Sequence, residues 1–495
     1  MKNKELITVI YLKRNSLRVS DNVLFKKAED LGLRTLVIFC FEPSIIYYHD
    51  SDIRHLRFIN QSIKSINDKL KIYNSQVYVF LDEAVNIFER IQFFYHTKFV
   101  LSYEETSNNL TFKRDMQLKK YFKNKGISWL EFENNGVIRG KKDKKNWAEI
   151  IEKKLLDDLI KVDLETVKFL KLKKQEEDFI RGKKDIKNFL KDIDSYEKNF
   201  QIGGEEKGKK CLELFLSKNY VNYIKDISKP HHSQFSCSRL SPYLTYGNLS
   251  LRMVYKKAYQ KLMEKDVKKL PIRAFMSRLI WRSHFIQKFE DEPRMEFENI
   301  NRGYDKLIKK TNEKKMKAFF EAKTGIPIID ASVLCLKTTG YVNFRTRAML
   351  VSFFVHNLNQ RWQDLAHFLA CLFLDYEVGI HYPQLQMQSG VTGINTIRIY
   401  NPVKNSKEND PEGLFIKKWL PSLSKIPNSQ VHEPWRLTYI EQKMYGVFIG
   451  KNYPKPIVDL YLTQKESVKI MWLMKKDKEV KAEADRILKK HVRRR

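Results

Sequence analysis

FLDYEVGIHYPQLQMQSGVTGINTIRIYNP, residues 373–402, decides how this chain is read, and it does not stand alone. Upstream lie SCSRLSPYLTYGNLS (Ser236–Ser250), RLIWRSHF (Arg278–Phe285) and TGYVNFRTRAMLVSFF (residues 339–354). Downstream come GLFIKKWLP (Gly413–Pro421) and HEPW (His432–Trp435). Asp375 can answer Arg345 or Arg347, because a buried arginine without a carboxylate is costly. The residues alone leave open whether this group binds a ligand or is a purely structural network. CSRLS (Cys237–Ser241) places hydroxyls and backbone N–H groups just before a helical run. That suits a phosphate, and it suits ordinary N-capping by Ser238 or Ser241 equally well. A lone tryptophan such as Trp281 is, taken by itself, a helix-packing aromatic.

The chain has 495 residues, so two or three domains are expected. Hydrophobic residues make up 42% and aromatics 13%, enough for large cores, and the 31% of charged residues are spread among them, which argues against wholesale disorder. A formal charge of +33 favours a polyanionic partner, nucleic acid first and an anionic membrane surface second. Lysine is frequent throughout, so part of that charge is solvated surface. Cys40, Cys211, Cys237, Cys335 and Cys371 are scattered with no close pair, which disfavours zinc, iron–sulfur and disulfide frameworks, and no metal is expected. The opening MKNKELITVIYLKRN lacks the apolar core of a signal peptide and no run reaches transmembrane length; a reducing cytoplasm and no membrane are the expectation.

The first third alternates short apolar strands with helical patterns. The strands are Ile7–Leu12, Arg34–Phe41, Gln76–Leu81, Phe99–Glu105 and Ile127–Phe132. That order predicts an α/β domain with a doubly wound parallel sheet over residues 1–138. Residues 139–200, with KKDKKNW, EKKLLDDLIKV and KLKKQEED, read as a Lys-rich interdomain connector, partly helical, running over the surface. Residues 201–495 read as nearly all helical, with apolar stripes in LRMVYKKAYQKLM, IPIIDASVLCLK, RAMLVSFFVHNLNQRW and LAHFLACLFL. The end, ILKKHVRRR, reads as a basic amphipathic helix.

The six C-terminal blocks, in this order and spacing, resemble the photolyase–cryptochrome family. YLKRNSLRVSDNVLF (Tyr11–Phe25) and EETSNNLTFKRD (Glu104–Asp115) resemble two signatures of that family's N-terminal domain; without the resemblance, Arg14, Arg18 and Asp21 would be a charged βα loop. The likeness spans essentially the whole chain, strongest from 236 to 435 and weakest in the connector. It implies an all-helical FAD-binding domain after the α/β domain. It reassigns Ser238, Leu240 and Ser241, with Cys237 and Tyr223, to the flavin phosphates. It pairs Arg347 with Asp375 beside the isoalloxazine, sets Glu377 near the N3 edge, adds Arg282 and Asn343 as cofactor contacts, and puts His381 beside N5. A histidine there would titrate near neutral pH. An antenna chromophore in the α/β domain is compatible with the resemblance, and no residue selects its identity.

The resemblance also exposes departures. Relatives pass electrons through three tryptophans; Trp362 matches the middle one, but Leu385 and Phe319 stand at the inner and outer positions. Tyr376, Tyr382 and Tyr400 are alternative carriers. Trp281 matches the tryptophan that stacks on a flipped pyrimidine dimer, Met387 replaces a second pocket tryptophan, and Arg278 replaces a pocket glutamate whose acceptor role it cannot take. The catalytic histidines of (6-4) photolyases fall near Ala348 and Met349, which exchange no protons. The resemblance thus implies a divergent prokaryotic branch whose function is light-driven repair of cyclobutane pyrimidine dimers, acting as a monomer on UV-damaged DNA, with Trp281, Met387 and Trp362 catalytic and Arg278 and Arg345 on the DNA. The rival reading is a cryptochrome-like blue-light photoreceptor.

Overall fold

The computed structural model describes residues 4–140, 146–195 and 199–491. The lysine run of KKDKKNW up to Asn146 and the terminal arginines after His491 lie outside the described residues.

Five strands form one sheet: β1 (Leu6–Leu12), β2 (Arg34–Cys40), β3 (Tyr78–Phe80), β4 (His96–Tyr103) and β5 (Ser128–Phe132). Their order is β3-β2-β1-β4-β5 and every pairing is parallel. The crossovers are α1 (Val23–Leu31), α2 (Ile53–Leu70), α3 (Ala84–Phe94) and α4 (Asn109–Asn124). β1 and β2 are buried on both faces apart from their first residues, as strands covered by helices on each side must be. This is the doubly wound domain that the spacing predicts.

Charged groups fill the carboxyl end of the sheet. Arg114 donates to Glu42 at 2.6 Å and to Glu105 at 2.7 Å, and Lys13 donates to Asp115 at 2.9 Å. The opening signature is not a solvated loop. Arg18 donates to the carbonyls of Asp21 and Gly247 and to the Tyr103 hydroxyl. Asp21 binds Ser250 and Arg252, and Arg14 donates to the backbone carbonyl of Tyr376. These residues fasten the α/β domain to the helices.

The connector is more than a surface strap. Its helix α5 (Trp147–Leu156) buries Trp147, Ile151 and Leu155, and Phe169 forms a parallel bridge with Thr35 at the start of β2. Thr35 donates to the Lys168 carbonyl at 2.7 Å and Leu170 donates back to Thr35 at 2.8 Å. β3 spans only three residues, so this bridge occupies the part of the β2 edge that β3 leaves unpaired.

The helical half includes α6 (Leu251–Met263), α7 (Lys269–Asp291), α8 (Pro327–Thr339), α9 (Phe344–Ser352), α10 (Trp362–Leu372), α11 (Val378–Gln388) and, near the end, α12 (Lys478–His491). RAMLVSFFVHNLNQRW does not run as one helix: α9 widens into a π turn over Phe353–Asn357 and stops, Asn359 takes φ +56°, and α10 begins at Trp362. α11 packs against α7, α9 and α10. Gly379 permits the tightest of these approaches; a Cβ there would lie 2.9 Å from Ile286 Cα on α7.

Candidate functional site

The N-termini of α9 and α11 converge beside α7, and the charges of the leading blocks meet there. Arg347 on α9 reaches Asp375 at 3.0 Å, donates through Nε to the Val342 carbonyl at 2.9 Å and lies over the Phe373 ring. Burial alone would raise the Asp375 carboxyl, but the Arg347 guanidinium, helped by the Ser241 hydroxyl, holds it below the usual carboxylate range. Arg282 on α7 pairs with Glu377 at 3.0 Å. Glu377 is the N-cap of α11, yet its side chain makes no capping bond and turns to Arg282 instead. Its charge still favours the positive end of the helix.

Asn343 caps α9 through its Oδ1, which accepts from Thr346 N at 2.9 Å. That fixes the amide and leaves Nδ2, buried and without a protein partner, as a donor at the site. Arg282 Nη1 and Arg345 Nε are likewise buried with no protein partner. Buried donors left open cost free energy unless something accepts from them. The open Asn343 Nδ2 and Arg282 Nη1, with the two arginine–carboxylate pairs, fit a cofactor with phosphate and carbonyl acceptors.

The CSRLS block precedes the five-residue helix Ser241–Thr245. Its N-cap position falls on Leu240, which is buried, and no side chain caps it. Neither Ser238 nor Ser241 acts as the ordinary cap. Arg239 takes φ +54° and stacks on Tyr341, its guanidinium 3.5 Å from the ring centre. Tyr223 is buried between Phe215 and Phe275, and burial pushes the Cys237 thiol up to about 12.

His381 corrects one expectation. It does not titrate near neutrality: burial lowers it to about 4. Its Nε2 lies 2.9 Å from the Ala366 carbonyl, so Nε2 carries the proton and Nδ1 is left as an acceptor. The ring is wedged edge-on against Tyr376 (5.1 Å) and Tyr382 (5.3 Å). Trp362 is buried, donates to Asn299 at 2.8 Å and meets Tyr382 edge-on at 6.3 Å. Leu385 and Phe319 are both buried, and neither an aliphatic nor an unsubstituted phenyl side chain is readily oxidised.

Trp281 overturns the packing reading of a lone tryptophan: 49% of it is exposed. Arg278, also exposed, lies one turn earlier on α7 with its guanidinium 5.5 Å from the Trp281 ring centre. Met387 is half-buried at the far end of α11. Ala348 and Met349 are buried and carry no titratable group.

Asp50 and His55 were invisible in the sequence. Asp50 accepts from the Tyr376 hydroxyl at 2.7 Å, and His55 stacks on the Tyr376 ring at 6.2 Å. Only Arg14, within the opening signature, carried a signal. No group of metal ligands and no helix long and apolar enough to cross a membrane occurs among the described residues.

A parallel α/β sheet with its helices is followed by a helical region that carries this charge cluster. Residues 9–146 match the family model for DNA photolyase and residues 275–473 match that for the FAD binding domain of DNA photolyase. The chain belongs to the photolyase–cryptochrome family, and FAD is its cofactor. It is 31% identical over 264 residues to a cryptochrome DASH of Gloeobacter violaceus, covering 52% of each chain. It is 29% identical over 258 residues to a deoxyribodipyrimidine photo-lyase of Alkalihalophilus pseudofirmus, covering 52% of this chain and 53% of that one. The chain thus aligns with about half the length of these relatives. A Synechocystis cryptochrome structure superposes with a TM-score of 0.83 at 21% identity, covering 95% of this chain and all of that one, a likeness of fold.

Proposed function

We propose that the protein repairs cyclobutane pyrimidine dimers in DNA under blue light. The observation that carries this reading is α7, which presents half-exposed Trp281 outward and sends its neighbour Arg282 inward to Glu377. A base stacked on Trp281 would stand one residue from the cofactor cluster. When bound, reduced FAD supplies on excitation the electron that opens the dimer ring. Arg347 and Asp375 would hold the flavin ring, Asn343 and Arg282 would donate to its polar edge, and Ser238 and Ser241 would meet its phosphates. His381 Nδ1 would accept a hydrogen bond at the position beside N5. Trp281 and Met387 would line the lesion pocket, and Arg278 and Arg345 would meet the strand. The net charge of +33 would draw the phosphates flanking the lesion, with an affinity that falls as salt rises. Weakly stacked, damaged bases cost least to flip outward. The domain division at 1–138, 139–200 and 201–495 belongs to the same proposal.

A photoreceptor without repair activity is the second reading, supported by Arg278 in place of an acceptor and by Leu385 and Phe319 in the electron path. The test is to reduce the flavin-loaded protein in the dark, add a dimer-containing thymine oligonucleotide and follow the return of thymine absorbance under light. Light-dependent recovery supports repair; none from fully loaded, reduced protein moves the assignment to photoreception.

A further inference from the structure

We propose that Tyr376 and Asp50 form a proton-coupled redox site across the domain interface that supplies electrons to the oxidised flavin under light. The inference rests on the flavin site above and is independent of dimer repair.

Tyr376 stands between Asp375 and Glu377, the two carboxylates paired with Arg347 and Arg282. Its own side chain points the other way, toward the α/β domain, and donates to Asp50 Oδ2 at 2.7 Å. Both groups are buried, at 2% and 5% exposure, so bulk water cannot take the phenol proton. Asn108 donates to the same Oδ2 at 3.1 Å and holds the carboxylate in place. The ring contacts His381 at 5.1 Å, and His381 contacts Tyr382, which meets Trp362. The rings therefore run from Tyr376 through His381, at the position assigned beside the flavin, and on through Tyr382 to Trp362.

The surroundings favour a neutral radical over a cation. The Arg14 guanidinium lies 5.4 Å from the Tyr376 ring centre. A positive hole beside it would be repelled strongly in a buried setting. Tyrosine avoids that repulsion by releasing its proton as it loses the electron. Burial and the neighbouring Asp50 charge raise the Tyr376 phenol well above its usual range, so it rests protonated. The other facing groups, His55 and His381, are kept neutral by burial, both lowered to about 4. Of the three tyrosines near the site, Tyr376, Tyr382 and Tyr400, only Tyr376 donates to a carboxylate among the described residues.

The step balances. The Tyr376 O–H bond breaks, one electron passes through the rings to the photoexcited oxidised flavin, and the proton moves to Asp50 Oδ2. The flavin gains one electron and Tyr376 becomes a neutral phenoxyl radical. An external thiolate then returns one electron to the radical through the rings and becomes a thiyl radical, while Asp50 Oδ2 gives the proton back to the Tyr376 oxygen across their hydrogen bond.

The test is electron paramagnetic resonance with transient absorption on FAD-loaded, oxidised, anaerobic protein under blue light. A tyrosyl signal is expected, narrowed by ring-deuterated tyrosine and absent in Tyr376→Phe. Asp50→Asn should slow its formation on the order of tenfold or more, since a strong acceptor is lost, and should change its solvent isotope effect. Should Tyr376→Phe lose FAD, fluorotyrosine placed at 376 keeps the test open, because a fluorine splitting arises only if the radical sits there. A tryptophanyl signal of unchanged yield in Tyr376→Phe, or no fluorine splitting, overturns the proposal. Dimer repair failing while the tyrosyl signal persists would remove the repair reading and leave this one standing.

Discussion

On the proposed function, individual side chains at the site divide into those that would hold the cofactor and those that would face the substrate, and substitutions should separate the two. Among the described residues Asp375 is the carboxylate that pairs with Arg347, and the proposed function sets both at the flavin. Asp375→Asn removes the charge while keeping the shape, which strands the guanidinium. Such a change costs about 3–5 kcal/mol when the remaining partner stays buried. The expected outcome is loss of bound FAD, read from the flavin-to-protein absorbance ratio, together with a lower melting temperature. Trp281→Ala should behave in the opposite way. Its side chain is half exposed on α7, so stability should move by no more than about 0.5 kcal/mol. FAD content should be unchanged while affinity for a dimer-containing oligonucleotide falls in a fluorescence titration; unchanged affinity would remove Trp281 from the substrate face.

At the scale of elements, the α7–α11 contact sets the distance between substrate face and cofactor site. Gly379 is what lets the two helices approach, since a Cβ there would meet Ile286 Cα at 2.9 Å, a backbone atom that cannot swing aside. Gly379→Ala should therefore destabilise by about 1–3 kcal/mol through overpacking. Urea denaturation would measure it, and a neutral result would mean that α11 can slide. Elements with a strong period were legible from the residues. β1 and β2 are short, mainly apolar and β-branched or aromatic runs, and LRMVYKKAYQKLM coincides with α6. The break after Asn357 was not, because Leu358–Arg361 keeps a helical composition and only the positive φ of Asn359 reveals the turn. The Arg347–Asp375 pair was legible through its motif. The Asp50–Tyr376 bond spans 326 residues of sequence and has no local signature. The neutral state of His381 likewise follows from burial by distant elements rather than from its neighbours in the chain.

For the whole molecule, opposing titrations shape stability against pH. His55, His356 and His381 are lowered by burial to about 4, 3 and 4 from 6.5. Between those values the unfolded chain binds more protons, so stability falls as pH drops. Burial raises Glu296 to about 7 and Asp330 and Asp410 to about 6. There the folded chain binds more protons, so stability falls as pH climbs from the usual carboxylate range toward those values. The two sets offset one another between about pH 4.5 and 6. Glu205 and Glu292 resist burial through Lys209 and His491 respectively and end at about 2 from 4.5, so their contribution is present above 4.5 and lost below it. Melting temperature should be nearly level from pH 6 to 4.5 and drop steeply beneath, with Glu205→Gln flattening the drop.

The Thr35–Phe169 bridge bears on how this protein can be engineered. With β3 so short, the first residues of β2 would otherwise present open N–H and C=O groups along the strand edge, a template for another chain. The lysine-rich connector supplies the cover and then surrounds it with like charge that repels neighbours. A version that loses residues 168–170, trimmed on the assumption that residues between the two domains merely tether them, would uncover this edge and is expected to associate edge to edge through β2.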